Sequence, residues 1–595
     1  MRLTSVLALG LVVGTSGTPL AAQLRSGRPP LPEQLNNNPR LLVANPFSFS
    51  STDSASAVRV GIGMRDRISK FGDKWWRVIT RQQMNDALLQ YAYPIDAVLP
   101  PLVARQLANS LQARGLVLST LLRGDGGRYT VEARLAGLND DAGHMVRIAQ
   151  LPNQALEEFG AKVADSLQNA FKALPDAKLC DNTKATAAEK ATESAIKALR
   201  LQPNHGLAEY CVAQIHIAKK APVDTIINHL KGATKGDWLS LPAWTSLAVQ
   251  YQAKGDSTQT INTFQEMLRV APTNESLRKE AFRLFQNYGR PDAAEQVADE
   301  GLKLDQANAD LWDLKFGACI AQGTPEKNKC AVDALEQVYA LDSTKADTTF
   351  YTKITFAASR PSIPSKVTID SAGTKLTRDS VLIDTERFVR WARKGAGKYP
   401  NNAILLGQLA EAYGVAGPLD SAVSVTRRLM AVDSSDLTPV LKVAKALAEA
   451  KRGRDAVPFA PYVERLGGSE DKQNMSLILA QIAAFPLLQS TPPDYDQAAE
   501  LARVAVKLVP PEARAAQLAN FVLGLSTFQI MVAKDKPAFD TKSCPLAQEM
   551  KILLDESGPA LTAGRSISPT TIDRYLPHHP TYVTRVDQMI KAYCK

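Results

Sequence analysis

The sequence predicts a multidomain protein, with a small α+β segment near the N-terminus followed by an all-α solenoid of stacked helix pairs. Three observations carry this. Residues 40–176 alternate short apolar runs with helix-period segments. Beyond about residue 185 strand signals fade and amphipathic helices dominate. Within that helical part, aromatic, small and proline positions recur at about 34 residues, the length of one helix pair. The 595 residues are 45% hydrophobic and 22% charged, a composition that excludes wholesale disorder. A formal charge of +10 is a mild bias on this length. No dense Lys/Arg run or basic–aromatic block points to nucleic acid.

At the N-terminus, Arg2 precedes the apolar run Val6–Val13, which is shorter than the roughly 20 residues that span a bilayer. Small and turn-forming residues follow, then Leu20-Ala21-Ala22-Gln23. The pattern reads as a secretory signal peptide over 1–22, cut within a residue or two of Ala22. An N-terminal core strand would leave Arg2 and the small-residue tail unexplained. No transmembrane segment is expected in the mature chain, and residues 23–39, rich in Pro, Asn and Gln, read as a flexible linker.

The α+β segment opens with Leu41–Ala44, an apolar run ended by Pro46. Val58, Ile62, Ile68 and Phe71 have helical spacing, and Gly61 and Gly63 fall inside that helix. Trp75–Ile79 is strand-like, 81–89 helical, and 98–113 helical with prolines near its start. The runs 115–122 and 129–135 flank Gly126-Gly127 as a β-hairpin. A strand near 144–149 leads into a helix over 153–174. Within this order, a first strand ends in Pro46-Phe47, and Val78-Ile79-Thr80-Arg81 steps from strand to helix. Ala113-Arg114-Gly115 precedes another strand, and Arg128–Leu135 alternates as Y-x-V-x-A-x-L. These features resemble the TolB amino-terminal-like domain over residues 40–176, departing at Ser119-Thr120 and at Ala142-Gly143-His144. The resemblance implies a docking or assembly module with no catalytic residues to carry over.

The clearest helical unit runs Trp244, Leu247, Ala248, Tyr251, a turn at Gly255, Phe264 and Pro272. The spacing builds one helix face, small Ala248 admits the partner helix, and Pro272 stops it. Pro203 lies 69 residues before Pro272 and Gln306 lies 34 after it. Trp312 sits six residues beyond Gln306, as Trp244 sits six beyond Trp238. Leu406, Leu409, Ala410 and Tyr413 repeat the pattern, with Pro400 before them and Ala422 in the second helix. Val440, Val443, Ala444 and Ala456 continue it, and Tyr495 to Pro510 read as the second helix of a degenerate unit. These positions match the tetratricopeptide (TPR) pattern, and the chain is similar to TPR proteins over 185–342 (array 1) and 384–540 (array 2). The resemblance implies a superhelix that binds protein or peptide partners. In this register the face of the first helices carries Gln214, Gln252, Lys279, Arg283, Asn287, Asp313 and Glu411. Lys279, Arg283 and Asn287 project from one helix face and suit a peptide carboxylate; the alternative is a solvated basic face.

Residues 343–383 read as an insertion or a break between the two arrays, with Thr, Ser and Pro clusters and strand-like pieces at 350–356, 366–369 and 381–383. Residues 541–595 read as a helical cap with a polar loop around Pro559 and Pro569. Nucleotide-binding, zinc-protease and serine-hydrolase motifs are absent. Gly395-Ala396-Gly397-Lys398 lacks the first P-loop glycine, has Tyr399 in place of Ser/Thr, and reads as a helix end. His578-His579, between prolines, reads as an exposed loop, and His205, His216 and His229 as partly solvated helix positions. No catalytic residue, metal ligand set or cofactor follows. The functional expectation is an exported, non-enzymatic adaptor for protein or peptide partners, periplasmic or secreted in a bacterial cell envelope. The alternative is a ligand-binding sensor or an enzyme with a site near 343–383.

Six cysteines, without a CxxC, fall into three sequence-local pairs: Cys180–Cys211, Cys319–Cys330 and Cys544–Cys594. In an exported chain these are expected as disulfides, and Cys319 and Cys330 would meet across a helix hairpin. The alternative is small buried thiols.

Overall fold

The apolar run at 41–43 becomes a wholly buried interior strand of a mixed sheet. The computed structural model describes residues 38–594 except Asp73, Ala372, Gly373 and Ser434, so the leader and most of the linker lie outside the described residues. Two units divide the chain, up to Ala271 and from Pro272 onward. The first unit runs β1 (Arg40–Val43), β2 (Phe47–Ser48), α1 (Ser54–Gly72), β3 (Arg77–Val78), α2 (Arg81–Gln90), α3 (Pro101–Ser110), β4 (Gly115–Arg123), β5 (Tyr129–Gly137), β6 (His144–Ala149) and α4 (Leu156–Thr183). The sheet order is β3-β1-β4-β5-β6, with β2 also on β4. β1 is parallel to β3 and β4, and β4, β5 and β6 form an antiparallel meander.

The expected strand 75–79 contracts to two residues, because the Trp76 indole is drawn into the core beneath it. The β4–β5 turn uses Gly126 and Gly127 at φ 76° and 78°, backbone that glycine adopts without strain. Gly63 marks a close helix crossing. A Cβ there would lie 2.0 Å from the Glu157 carbonyl oxygen, and one on Gly160 would lie 2.2 Å from that of Val60.

α4 does not stop near 174–176. It carries Pro175 internally and reaches Thr183, so the expected domain boundary falls inside a helix. Ala173, Leu174, Ala177 and Cys180 are all buried along it, and this packing outweighs the break that a proline usually causes. α4 forms the first helix pair with α5 (Ala188–Leu201), followed by α6 (Gly206–Ala218), α7 (Val223–Gly236), α8 (Leu241–Lys254) and α9 (Ser257–Val270). Sheet residues Leu41, Val117 and Leu135 share one core with Ala191 of α5 and Leu207 and Cys211 of α6. The Cys180–Cys211 disulfide joins α4 to α6.

A buried ion pair closes this junction. Asp237, in the α7–α8 turn, is inaccessible to solvent. It accepts Arg134 Nη2 at 2.7 Å and Nε at 2.9 Å, Gly143 N–H at 2.6 Å and Leu239 N–H at 3.2 Å. Nearby, Leu207 N–H donates to the Gly143 carbonyl at 3.1 Å and Ser240 Oγ to the Asp141 carbonyl at 2.7 Å. His144 stacks on His205 with centroids 5.3 Å apart. His205 is therefore fully buried, not the partly solvated position expected, because the sheet covers the first repeat. Burial pushes His144 down to about 4 and His205 down to about 3.

The second unit contains α10 (Glu275–Asn287), α11 (Pro291–Leu304), α12 (Ala309–Gln322), α13 (Pro325–Leu341), α14 (Thr348–Ala358), β7 (Pro361–Ser371), β8 (Thr374–Ile383), α15 (Thr385–Lys398), α16 (Ala403–Ala416), α17 (Leu419–Val432) and α18 (Thr438–Glu449). First helices begin at Gly206, Leu241, Glu275 and Ala309, steps of 35, 34 and 34 residues, the TPR spacing. Ser240, Asn274, Asn308 and Asn402 cap first helices by accepting the N–H three residues on. The six-residue tryptophan spacing is a hydrogen bond in both units: Trp244 Nε1 donates to the Trp238 carbonyl and Trp312 Nε1 to the Gln306 carbonyl, each at 3.0 Å.

Of the two readings of 343–383, an insertion or a break between arrays, the hairpin over 361–383 is an insertion, and 348–358 continues the helix pairs. The expected strand at 350–356 is helix α14, capped by Asp347, which accepts Phe350 N–H at 2.8 Å. Its β-branched residues fit because the Thr352 and Thr355 hydroxyls donate to the carbonyls four residues back. α14 pairs with α15, and the β7–β8 hairpin is inserted in their turn. The Gly395–Lys398 segment ends α15, as expected.

Beyond α18 the pairs become irregular: α19 (Gly453–Ala456), α20 (Ala460–Leu466), α21 (Ser469–Leu477), a π-helical stretch Ile478–Ala484, α22 (Phe485–Leu488) and α23 (Tyr495–Lys507). α24 (Arg514–Thr541), α25 (Cys544–Gly564), α26 (Pro569–Ile572) and α27 (His579–Tyr593) complete the chain. α24 is long and apolar enough to cross a membrane, but 61% of its apolar window is buried in the unit. Pro559 lies inside α25, not in a loop. His579 is not exposed loop either, since its Nε2 lies 2.9 Å from the Leu554 carbonyl and its ring stacks on Phe528. Cys319–Cys330 ties α12 to α13, and Cys544–Cys594 ties the start of α25 to the end of α27.

Replacing Asp237 by Ala leaves Arg134 and the Gly143 N–H buried without an acceptor, and should destabilise the first unit by about 3–5 kcal/mol in denaturant unfolding. An unchanged midpoint would contradict this. Both buried histidines have folded values below 6.5, so the unfolded chain takes up more protons as acid is added. Their stabilisation is complete above about pH 6.5 and is lost as pH falls toward 4 and then 3. By pH 5 the loss is on the order of 2 kcal/mol per histidine. The chain with His205→Leu should lose less stability over this range than the parent chain.

Candidate functional site

The stacking of helix pairs dictates which side chains are available. Leu247, Ala248, Tyr251 and Phe264, and likewise Leu406, Leu409, Ala410 and Ala422, are buried and form the core between helices. Trp244, Trp312 and Tyr413 are partly buried against the same cores. Pro272 offers its carbonyl to Arg278 Nη2 at 2.6 Å. The signature residues are thus structural, and the candidate contact residues are the polar positions between them.

In the first unit, Gln214 lies on α6 with its Oε1 buried and unpartnered among the described residues, and Gln252 lies exposed on α8. In the second unit, Lys279, Arg283 and Asn287 share α10, Asp313 is on α12 and Glu411 on α16. Lys279 is not waiting for a ligand, because its ammonium lies 3.1 Å from Asp310 on the next first helix. Asp310 also pairs with Lys345, and the Lys345 and Lys279 ammoniums hold its carboxyl below the usual carboxylate range. Asp313 pairs with Lys353 of α14 at 2.9 Å, and Glu411 with Lys442 of α18 at 2.7 Å. Lys279, Asp313 and Glu411, which the sequence suggested as ligand contacts, are therefore paired with residues of neighbouring first helices.

Exposed pairs of this kind contribute about 0–1 kcal/mol each. Their main effect is to cancel charge along the face. Arg283 and Asn287 are the exceptions, exposed and one turn apart, with no ion pair or hydrogen bond to another described residue. The partner residues Asp310, Lys345, Lys353 and Lys442 escaped the sequence reading. The available signal was opposite charge at matching positions of successive repeats.

Other clusters of reactive groups resolve structurally. His216 stacks on His229 with centroids 5.3 Å apart, and His229 Nδ1 lies 2.7 Å from Glu209. Burial, with His229 alongside, holds His216 below its ordinary value. Among the described residues, three metal-type ligands converge at Glu295, Cys319 and Cys330. The two sulfurs there are bonded to each other and Lys327 lies 2.6 Å from Glu295, so the set suits no ion. A cavity of about 490 Å³ between the π-helical stretch and α24 has an apolar floor of Leu477, Phe485 and Leu518, rimmed by Gln473, Gln481 and Arg514. No carboxylate lines it. The described part of 343–383 contributes no lining residue to this cavity.

No protein-family model matches the sequence, and no curated protein matches it. Among solved structures, a crystal structure of MamA protein is 17% identical, covering 32% of this chain and 91% of that one, with a TM-score of 0.24. Naa15/Naa10 bound to HypK-THB is 13% identical, covering 68% of this chain and 64% of that one, with a TM-score of 0.35. YrrB, described as a TPR protein with an unusual peptide-binding site, is 12% identical, covering 34% of this chain and 91% of that one, with a TM-score of 0.26. At these scores the likeness assigns neither family nor function.

Proposed function

We propose that the chain is an exported, non-enzymatic adaptor that holds protein or peptide partners in the cell envelope along its stacked helix pairs. The observation that carries this reading is the division of labour on the first helices. In the second unit, signature residues are buried in the core and ion pairs engage Lys279, Asp313 and Glu411, which leaves Arg283 and Asn287 as unengaged polar contacts. Three disulfides and no free thiol suit an oxidising compartment, in keeping with the leader-like N-terminus. In this reading the segment 40–176, which resembles the TolB amino-terminal-like domain, is a docking module. It is continuous in core with the first repeats, so a partner bound there meets a rigid support.

A photo-crosslinking residue at Asn287 of the exported protein should give discrete adducts with envelope proteins. The same residue at Ile552, an exposed position on α25, should not. Arg283→Glu should reduce the Asn287 adducts several-fold without changing helicity, whereas equal adducts at both positions would overturn the reading.

A further inference from the structure

In the second unit, first helices pack on one another, α14 on α16 and α16 on α18, whereas the second helices α15 and α17 stand apart. The gap between them is a trough. One cavity of about 570 Å³ is walled by α15, α16 and α17, and a second of about 560 Å³ continues it toward α19. Asp420, Ser424 and Arg428 line both, so the two adjoin along one face of α17. The charge of the trough is lopsided. Arg393, Arg427, Arg428, Arg452 and Arg454 face it, against Asp420 and Asp455.

The arginines fall into two sets. Arg452 is held by Asp420 and Asp455 at 2.6 Å each, and Arg454 by Glu500 at 2.8 Å. The other three have no carboxylate partner among the described residues. Arg393 donates to the Tyr413 hydroxyl at 3.2 Å and Arg428 to the Pro400 carbonyl at 3.3 Å, and Arg427 has no hydrogen bond or ion pair to a described residue. This contrasts with the first-helix face of the same unit, where Lys279, Lys353 and Lys442 each meet an acid. A guanidinium fork is built for bidentate carboxylate binding. The wall between the forks is apolar, formed by Ala396, Leu409 and Val425, and Ser421 and Ser424 add hydroxyl donors. Gly397 opens onto free space, with nothing within 4 Å of where a Cβ would sit.

We propose that this trough binds an acidic peptide segment, whose carboxylates engage Arg393, Arg427 and Arg428 while its aliphatic stems lie on Leu409 and Val425. The proposal rests on the adaptor reading and adds to it the partner's chemistry and a second face, on the side of the second helices. An elongated trough with spaced forks and an apolar wall favours a peptide over a compact anion, which would need the forks to converge.

The test is fluorescence anisotropy of a labelled Asp/Glu-rich peptide with the full-length protein. Saturable binding should weaken about tenfold or more in Arg427→Ala/Arg428→Ala, since two charge-assisted contacts are lost. Gly397→Tyr, which fills the trough from an open helical position, should weaken binding similarly while the melting temperature holds. A control reversal of two exposed lysines elsewhere in the unit, Lys303→Glu/Lys329→Glu, should change affinity by no more than about twofold. Equal weakening by the control, or no effect of Gly397→Tyr, overturns the proposal. Displacement of the peptide by inorganic phosphate at matched charge overturns it in favour of a small-anion site, and tighter binding of a single-stranded oligonucleotide overturns it in favour of nucleic acid. If the peptide does not bind but the Asn287 adducts persist, the trough proposal fails and the adaptor reading stands. Loss of both removes the adaptor reading as well.

Discussion

Asp237 is a charge placed where water cannot reach it, and the arrangement of the first unit depends on that placement. Asp305, Asp342 and Asp433 occupy the same position after their second helices, and each accepts the N–H two residues on at the protein surface. Asp237 makes that same turn through Leu239. It differs in being covered by the β5–β6 end of the sheet, which supplies Arg134 and the Gly143 N–H. A desolvated carboxylate is tolerated only with such complete partnering. The repeat thus provides a turn residue and the sheet turns it into a lock.

The surrounding chemistry follows from the lock. Gly143 must be glycine, since a Cβ would sit 2.4 Å from the Leu135 carbonyl oxygen, and a Cβ on Gly206 would sit equally close to the Gly143 carbonyl oxygen. Sealing the junction buries the stacked His144 and His205, which makes it sensitive to acid. α4 completes the seal by serving both the sheet and the first helix pair, with Cys180–Cys211 fixing it to α6.

Local periodicity made much of this legible. The Trp244 and Trp312 spacings and the Cys319–Cys330 pair depend on residues close in sequence, and each appears in the structure as expected, as do the wider pairs Cys180–Cys211 and Cys544–Cys594. What escaped depends on distant neighbours. Asp237 reads as one more turn aspartate until Arg134 is brought to it. Residues 350–356 have strand-like composition, and become helix through the Asp347 cap and the aromatic cluster of Phe350, Tyr351 and Trp391. The ion pairs on the first helices were hidden for the same reason. Lys279 looked available because Asp310 lies one whole repeat away. Conversely, Arg427-Arg428 passes unnoticed in sequence and acquires meaning only when the fold brings Arg393 to the same cavity as Arg428.

The central claim is that the sheet and the first repeats form one cooperative body locked at Asp237. Native-state hydrogen exchange on the intact chain tests it directly. Amides of β5 and β6 and of α6 to α8 should open with a common free energy and a common denaturant dependence. Exchange of the sheet through an opening that leaves α6, α7 and α8 fully protected would contradict the account.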